Sequence, residues 1–216
     1  MTKYELIIFD LDGTLLNTLE DLQNSLNHAL LLSHFPPRSR KEVKSFVGNG
    51  IGKLIERAVG EAATASQLKQ LYQDFMNHYQ VHCTDTTRPY DGVLQLLHTL
   101  RKRGYKTAVV SNKADAAVKE LCHQYFSGLF DYAAGEREGL ARKPEPDLVR
   151  LVLDRLDCTS QKALYIGDSE VDILTADKAG LDAVMVDWGF RDASFLKQHG
   201  AKSIVSSPDR ILTLLN

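Results

Sequence analysis

Three short apolar runs each end in acidic or hydroxyl residues, and that coincidence constrains the chain more than any other feature. Leu6-Ile7-Ile8-Phe9 leads into Asp10-Leu11-Asp12-Gly13-Thr14. Thr107-Ala108-Val109-Val110 leads into Ser111-Asn112-Lys113, and Ala163-Leu164-Tyr165-Ile166 into Gly167-Asp168, with Asp172 just beyond. Runs this short and branched read as buried strands. Helical spacings separate them: Val93, Leu96, Leu97 and Leu100 stopping at Gly104, then Val118, Leu121 and Cys122, then Leu148, Leu151, Val152 and Leu156. Further strands are expected at Tyr132-Ala133-Ala134, at Ala183-Val184-Met185-Val186 and at Ser203-Ile204-Val205. Such alternation predicts an α/β fold, a doubly wound, mostly parallel sheet with helices on both faces. Ligands of such sheets bind beyond the carboxyl ends of the strands, near the switch in strand order. Asp and Ser also commonly cap the helix after a strand, so each ending alone has a plain structural explanation.

Asp10 and Asp12, two apart on extended backbone, point to one side and place two negative charges in a small volume. A divalent cation relieves that repulsion. With neither His nor Cys beside the pair, the oxygen-only donors favour Mg²⁺ over Zn²⁺. Lys143, in Arg142-Lys143-Pro144-Glu145-Pro146-Asp147, precedes a helix start where proline in the first turn is expected. Four aspartates facing a phosphate dianion need positive charge, and one Mg²⁺ with one lysine would largely balance them.

Between Thr14 and about Arg88 the pattern is helical. Thr18 with Asp21, Ser39 with Glu42 and Thr64 with Gln67 each have the spacing of a capping box. Leu19, Leu22, Leu26 and Ala29 or Leu30 form one apolar stripe, ended by Pro36-Pro37. Val43, Phe46 and Val47 form a second, broken by Gly48-Asn49-Gly50. Ile51, Leu54, Ile55 and Ala58 form a third, and Leu68, Leu71, Phe75, Met76 and Tyr79 a fourth. Four short helices without a strand signal predict a helical insertion over 15–85, inside an α/β core made of 1–14 and 86–216.

A net charge of −2, from 26 basic and 28 acidic residues, exerts no pull toward nucleic acid or anionic membrane. Cys83, Cys122 and Cys158 fit no metal or redox spacing. With no leader-like segment and no membrane-length apolar run, the chain is expected in the cytoplasm.

Asp10-x-Asp12-Gly13-Thr14, then Ser111, then Lys143, then Gly167-Asp168-x-x-x-Asp172 resemble, in that order, the motifs of the haloacid dehalogenase superfamily of phosphohydrolases. The resemblance spans essentially the whole chain. The helical insertion is similar to that superfamily's α-helical cap, and Asn112-Lys113 extends the likeness to its phosphoglycolate phosphatase branch. The resemblance implies Asp10 as the nucleophile that becomes an aspartyl phosphate, and Asp12 as general acid and base. It implies Mg²⁺ held by Asp10, the backbone carbonyl of Asp12, and Asp168, with Asp172 behind them orienting water on the metal or Lys143. Ser111 and Lys143 would grip phosphate oxygens, helped by backbone N–H groups around Asn112. Asn17 and Asp91 depart from the branch, which more usually has Asp and Pro there, and the departures bear on substrate choice.

In the insertion, Gly48, Asn49 and Gly50 precede Lys53 and Arg57, cations one helical turn apart that would suit an acidic leaving group such as glycolate. The same two side chains also fit a solvated helix face. The expected partner is a small phosphorylated metabolite, with the protein a monomer or weak homodimer and neither nucleic acid nor membrane involved. Pyrophosphate, sugar phosphates and nucleotides remain alternative substrates. A phospho-acceptor signalling module or an inactive binding protein is a rival reading, opposed by the long insertion and by the intact set Asp10, Asp12, Ser111, Lys143 and Asp168.

Overall fold

The computed structural model describes residues 3–215. The chain opens with β1 (Leu6–Phe9) and passes through a short β2 (Leu16–Asn17) into four helices, α1 (Leu19–Leu32), α2 (Arg40–Phe46), α3 (Gly50–Val59) and α4 (Ala65–His82). It returns through β3 (Arg88–Pro89), which pairs with β2. Strands and helices then alternate: α5 (Val93–Lys102), β4 (Lys106–Ala114), α6 (Asp115–Phe126), β5 (Tyr132–Glu136), α7 (Asp147–Arg155), β6 (Ala163–Gly167), α8 (Glu170–Ala179), β7 (Asp182–Val186), α9 (Ala193–Gln198), β8 (Ile204–Val205) and α10 (Pro208–Leu214). Two compact units result, Met1–Leu16 with Pro89–Asn216, and Asn17–Arg88.

In the first unit six strands form one parallel sheet in the order β5-β4-β1-β6-β7-β8. The first strand in sequence is therefore central, and the chain departs from it in opposite directions, the switch point at which such sheets bind ligands. Successive side chains on a strand face opposite sides. Ile7, Phe9, Val109 and Ile166 join one core with residues of α5, α6 and α10, while Leu6, Ile8, Val110 and Tyr165 join a second with residues of α7 and α8. Both faces are buried, which is why these strands are continuously apolar rather than alternating.

In the second unit the apolar stripes are the packed faces: Leu22, Leu26, Leu30, Leu54, Ile55, Leu71 and Phe75 are all buried. Among the described residues no helix is long and apolar enough to cross a membrane.

Several local expectations are corrected. The capping boxes at Ser39–Glu42 and Thr64–Gln67 form, but Thr18 caps α1 without a side-chain hydrogen bond. Asp21 is buried and accepts from the backbone N–H and hydroxyl of both Thr86 and Thr87. Those four donors, remote in sequence, outcompete a local cap. Strand β4 runs past Val110 to Ala114, so Ser111 lies within it rather than after it, and the pairing with β5 shifts register over that stretch. Helix α7 starts only at Asp147, leaving Lys143 in the preceding loop and Pro146 at the capping position.

Candidate active site

Sheet register does most of the assembly. Phe9 pairs with Val109 on one side and with Ile166 on the other. Asp10 therefore leaves the sheet level with the residues just before Ser111 and Asp168, on strands spaced about 4.8 Å apart. The Asp10 N–H donates to the Ile166 carbonyl at 2.8 Å, holding it on that edge. Gly13, at φ +85°, turns the chain away, and any Cβ there would overlap the Asp168 carboxylate.

Lys143 reaches this rim from the loop before α7. Its ammonium lies 2.9 Å from Asp10 Oδ2 and 2.8 Å from Asp172 Oδ1. The Asn112 side chain sets its backbone reciprocally, donating from Nδ2 to the Lys143 carbonyl at 3.0 Å and accepting from the Lys143 N–H at 2.8 Å. Tyr165 completes the arrangement: its hydroxyl accepts from Lys143 Nζ at 3.2 Å and donates to Asp172 Oδ1 at 3.0 Å. The other Asp172 oxygen accepts from the Ser169 hydroxyl at 2.7 Å and from the Ser169 and Asp168 N–H groups. With both oxygens engaged in this way, Asp172 acts as a brace for the ammonium and for the start of α8.

Asp10, Asp168 and Asp172 are all buried, and one carboxylate oxygen from each lies within 4.8 Å of the others. Burial, joined by repulsion from Asp172 and Asp168, pushes Asp10 well above the usual carboxylate range despite the pull of Lys143. Burial, with Asp172 beside it, pushes Asp168 up to about 7. For Asp172 the opposing effect of burial is overcome by the Lys143 charge and by hydrogen bonds from Lys143, Ser169 and Tyr165, so it lies below the usual range. Burial pulls Lys143 down, but Asp10 and Asp172 outweigh it and raise it well above an ordinary lysine. Three carboxylates thus face one ammonium in a site with only oxygen donors, and the residues present fit a hard divalent cation.

Asp12 is half-buried, and its Oδ1 lies 3.1 Å from the ammonium of Lys113, itself largely buried. Ser111 is buried, and its Oγ accepts from the Lys113 N–H at 3.2 Å. Gly48, Asn49, Gly50, Lys53 and Arg57 gather in the helical unit at the α2–α3 junction. Arg57 donates to the Phe46 carbonyl at 2.6 Å and to Asn49 Oδ1 at 2.8 Å, and Lys53 pairs with Glu56. Both cations thus carry local structural contacts. Asn17 lies half-buried in β2, and Asp91 is exposed in the turn before α5.

Sequence reasoning missed Tyr165, Lys113 as the partner of Asp12, and Phe190, whose backbone N–H donates to Asp168 Oδ2 at 2.6 Å. Tyr165 sits inside an apolar run and gives no signal beyond packing. Phe190 lies four residues beyond β7 and acts through its backbone N–H, which no side-chain type signals.

The haloacid dehalogenase-like hydrolase profile matches residues 7–186, from β1 through the end of β7. The chain belongs to this family. A phosphoglycolate phosphatase of Cereibacter sphaeroides is 34% identical over 200 residues, covering 90% of this chain and 91% of that one. One from Haemophilus influenzae is 33% identical over 197 residues, covering 88% of each. A crystal structure from Lactobacillus delbrueckii subsp. bulgaricus, provisionally assigned as a phosphoglycolate phosphatase, superposes with a TM-score of 0.96 at 36% identity, covering 99% of this chain and 98% of that one. The structure of a predicted phosphoglycolate phosphatase from Haemophilus somnus superposes at 0.92 with 30% identity and full coverage of both chains. This haloacid dehalogenase-like hydrolase is accordingly a phosphatase.

Proposed function

We propose that this phosphatase hydrolyses phosphoglycolate, with Asp10 as nucleophile and with Mg²⁺ held by Asp10, Asp168 and the backbone carbonyl of Asp12. The carrying observation is the buried Lys143 ammonium, 2.9 Å from Asp10 and braced by Asp172, because it fixes where a transferring phosphoryl group meets positive charge. The shared likeness to phosphoglycolate phosphatases supports the substrate. Three free cysteines, Cys83, Cys122 and Cys158, agree with a reducing cytoplasm, where the protein would act as a monomer or weak homodimer.

The chemistry needs two displacements. An Asp10 oxygen attacks phosphorus, the bond to the glycolate oxygen breaks, and Asp12 gives that oxygen its proton. Asp12 then takes a proton from water as the water oxygen attacks phosphorus, and the bond to Asp10 breaks, restoring the carboxylate. Mg²⁺, held by Asp10, Asp168 and the Asp12 carbonyl, would supply charge that favours the ionised form of the buried Asp10 and offsets the phosphate oxygens. Ser111 and Lys143 hold those oxygens, while Asn112 positions Lys143 through its backbone.

The helical unit would serve as the cap, with the Gly48-Asn49-Gly50 turn, Lys53 and Arg57 selecting an acidic leaving group. Arg57 would act chiefly by pinning the turn to Phe46 and Asn49.

Phosphate release over a panel of small phosphate esters, with and without chelator, tests the reading. Phosphoglycolate should lead and chelation should stop turnover. Asp10→Asn should release no phosphate, and residual turnover would contradict the covalent route. Lys53→Ala should lower kcat/KM on phosphoglycolate more than on a neutral phosphate ester, and equal losses on both would remove the cap from substrate choice.

A further inference from the structure

The stretch Asp187-Trp188-Gly189-Phe190-Arg191 after β7 lies in no helix or strand, yet Gly189, Phe190 and Arg191 are buried. Trp188 Nε1 donates to the Thr14 carbonyl at 3.1 Å. Arg191 forks onto Glu170 at the start of α8, Nε to Oε2 at 2.9 Å and an Nη to Oε1 at 3.1 Å. Between these anchors the Phe190 N–H donates to Asp168 Oδ2 at 2.6 Å, while the Thr14 hydroxyl donates to Asp168 Oδ1 at 3.2 Å. A Cβ on Gly189 would overlap both the Gly13 carbonyl and the Asp168 carboxylate. Only glycine lets the two backbones close on that side chain.

We propose that this loop is a positioning element for Asp168: Trp188 and Arg191 pin the backbone so that Phe190 and Thr14 hold both carboxylate oxygens ready for a divalent cation. The inference rests on the Mg²⁺ reading above. A carboxylate already held by two donors loses little rotational freedom when a cation arrives. Trp188 acts twice, because the residue it grips through the backbone is the one whose hydroxyl holds Asp168. Partners of this kind typically cost 10–100-fold in metal affinity when removed.

Calorimetric titration of the metal-free protein with Mg²⁺ alone, without substrate, tests it. Trp188→Phe keeps the ring and loses the N–H, and Arg191→Lys keeps the charge and loses the fork. Each should raise the Mg²⁺ Kd about tenfold, with kcat recovering at high Mg²⁺ and KM for the phosphate ester unchanged. Either variant suffices if the other does not fold. Lowered Tm with an unchanged Mg²⁺ Kd would assign the loop to fold stability alone and overturn the proposal. Wild-type protein that binds no Mg²⁺ overturns the metal reading and this inference together. Wild type that binds, with variants binding equally well, overturns only the inference.

Discussion

A lysine almost wholly out of solvent stays charged only when its surroundings replace the water it lost. Lys143 has three oxygen partners for its three N–H donors, on Asp10, Asp172 and Tyr165. Lys143→Met should cost about 3–5 kcal/mol of stability, since removing one member of a buried ion pair strands the rest. It should also lower kcat about 10²-fold or more, the size of effect known for lost electrostatic stabilisers. Tyr165→Phe leaves the ion pairs in place and removes one hydroxyl, so about 1 kcal/mol and a much smaller kcat loss are expected. Denaturant melts with steady-state kinetics check both, and a Tyr165→Phe loss as large as that of Lys143→Met would mean the hydroxyl does more than brace. Lys143 was legible because its place in a motif order gave an otherwise ordinary loop lysine a role. Tyr165 was not, because a buried tyrosine in a strand looks the same whether its hydroxyl serves a site or only packing.

Helix starts show where local sequence logic runs out. A capping box is a four-residue device, and Ser39–Glu42 and Thr64–Gln67 formed because no remote group competed for them. At Thr18–Asp21 the same spacing failed: Asp21 satisfies the segment returning from α4, and the Thr18 hydroxyl is buried with no partner among the described residues. The usual ranking of these two positions should therefore invert. Asp21→Ala removes the acceptor that the N–H groups and hydroxyls of Thr86 and Thr87 share and should cost about 1–3 kcal/mol. Thr18→Ala should cost less than the ~1 kcal/mol typical of a capping threonine. Equilibrium unfolding of the two variants decides it. A second device spans α1 and α4, where His78 stacks between His28 and His82 at centroid distances of 4.2 Å, with Ser25 on its Nδ1 and Asp85 on His82. Burial, then His28 and His82, lowers the His78 pKa, with Asp85 opposing weakly. A base lowered in the folded state binds fewer protons than in the unfolded chain, so stability falls as pH drops through about 6.5. Protection factors of the α4 amides, the intrinsic exchange rate at each pH divided by the observed one, should fall below that pH in wild type and lose part of that dependence in His78→Gln.

At the scale of the whole molecule, the alternation of short apolar runs and helical stripes made the parallel sheet legible, because burial on both faces leaves strands no other composition. Strand order was not legible in the same way. That β1 lies between β4 and β6 follows from pairing across a hundred residues or more, and it brings three separate polar stretches to one rim. The short helices α9 and α10 were not anticipated, being too brief to show a period. Asp10 and Asp168, gathered with Asp172 within 4.8 Å of one another, are both raised above the usual carboxylate range, so their ionised forms work against the fold unless a cation such as the proposed Mg²⁺ offsets them. Stability and function should therefore separate at Asp168. Asp168→Asn removes one of those charges while keeping a carbonyl for the Phe190 N–H, and should raise the stability of metal-free protein by about 1 kcal/mol, a Tm gain of about 2–4 °C for a chain of this size. Wild-type protein should in turn gain about 2.7 kcal/mol when Mg²⁺ is supplied at a hundred times its Kd, and Asp168→Asn should gain almost nothing. Thermal melts of both proteins with chelator and with Mg²⁺ give four numbers whose order is fixed in advance. A metal-free Asp168→Asn protein less stable than metal-free wild type would mean that Asp168 holds the fold together rather than straining it for the cation.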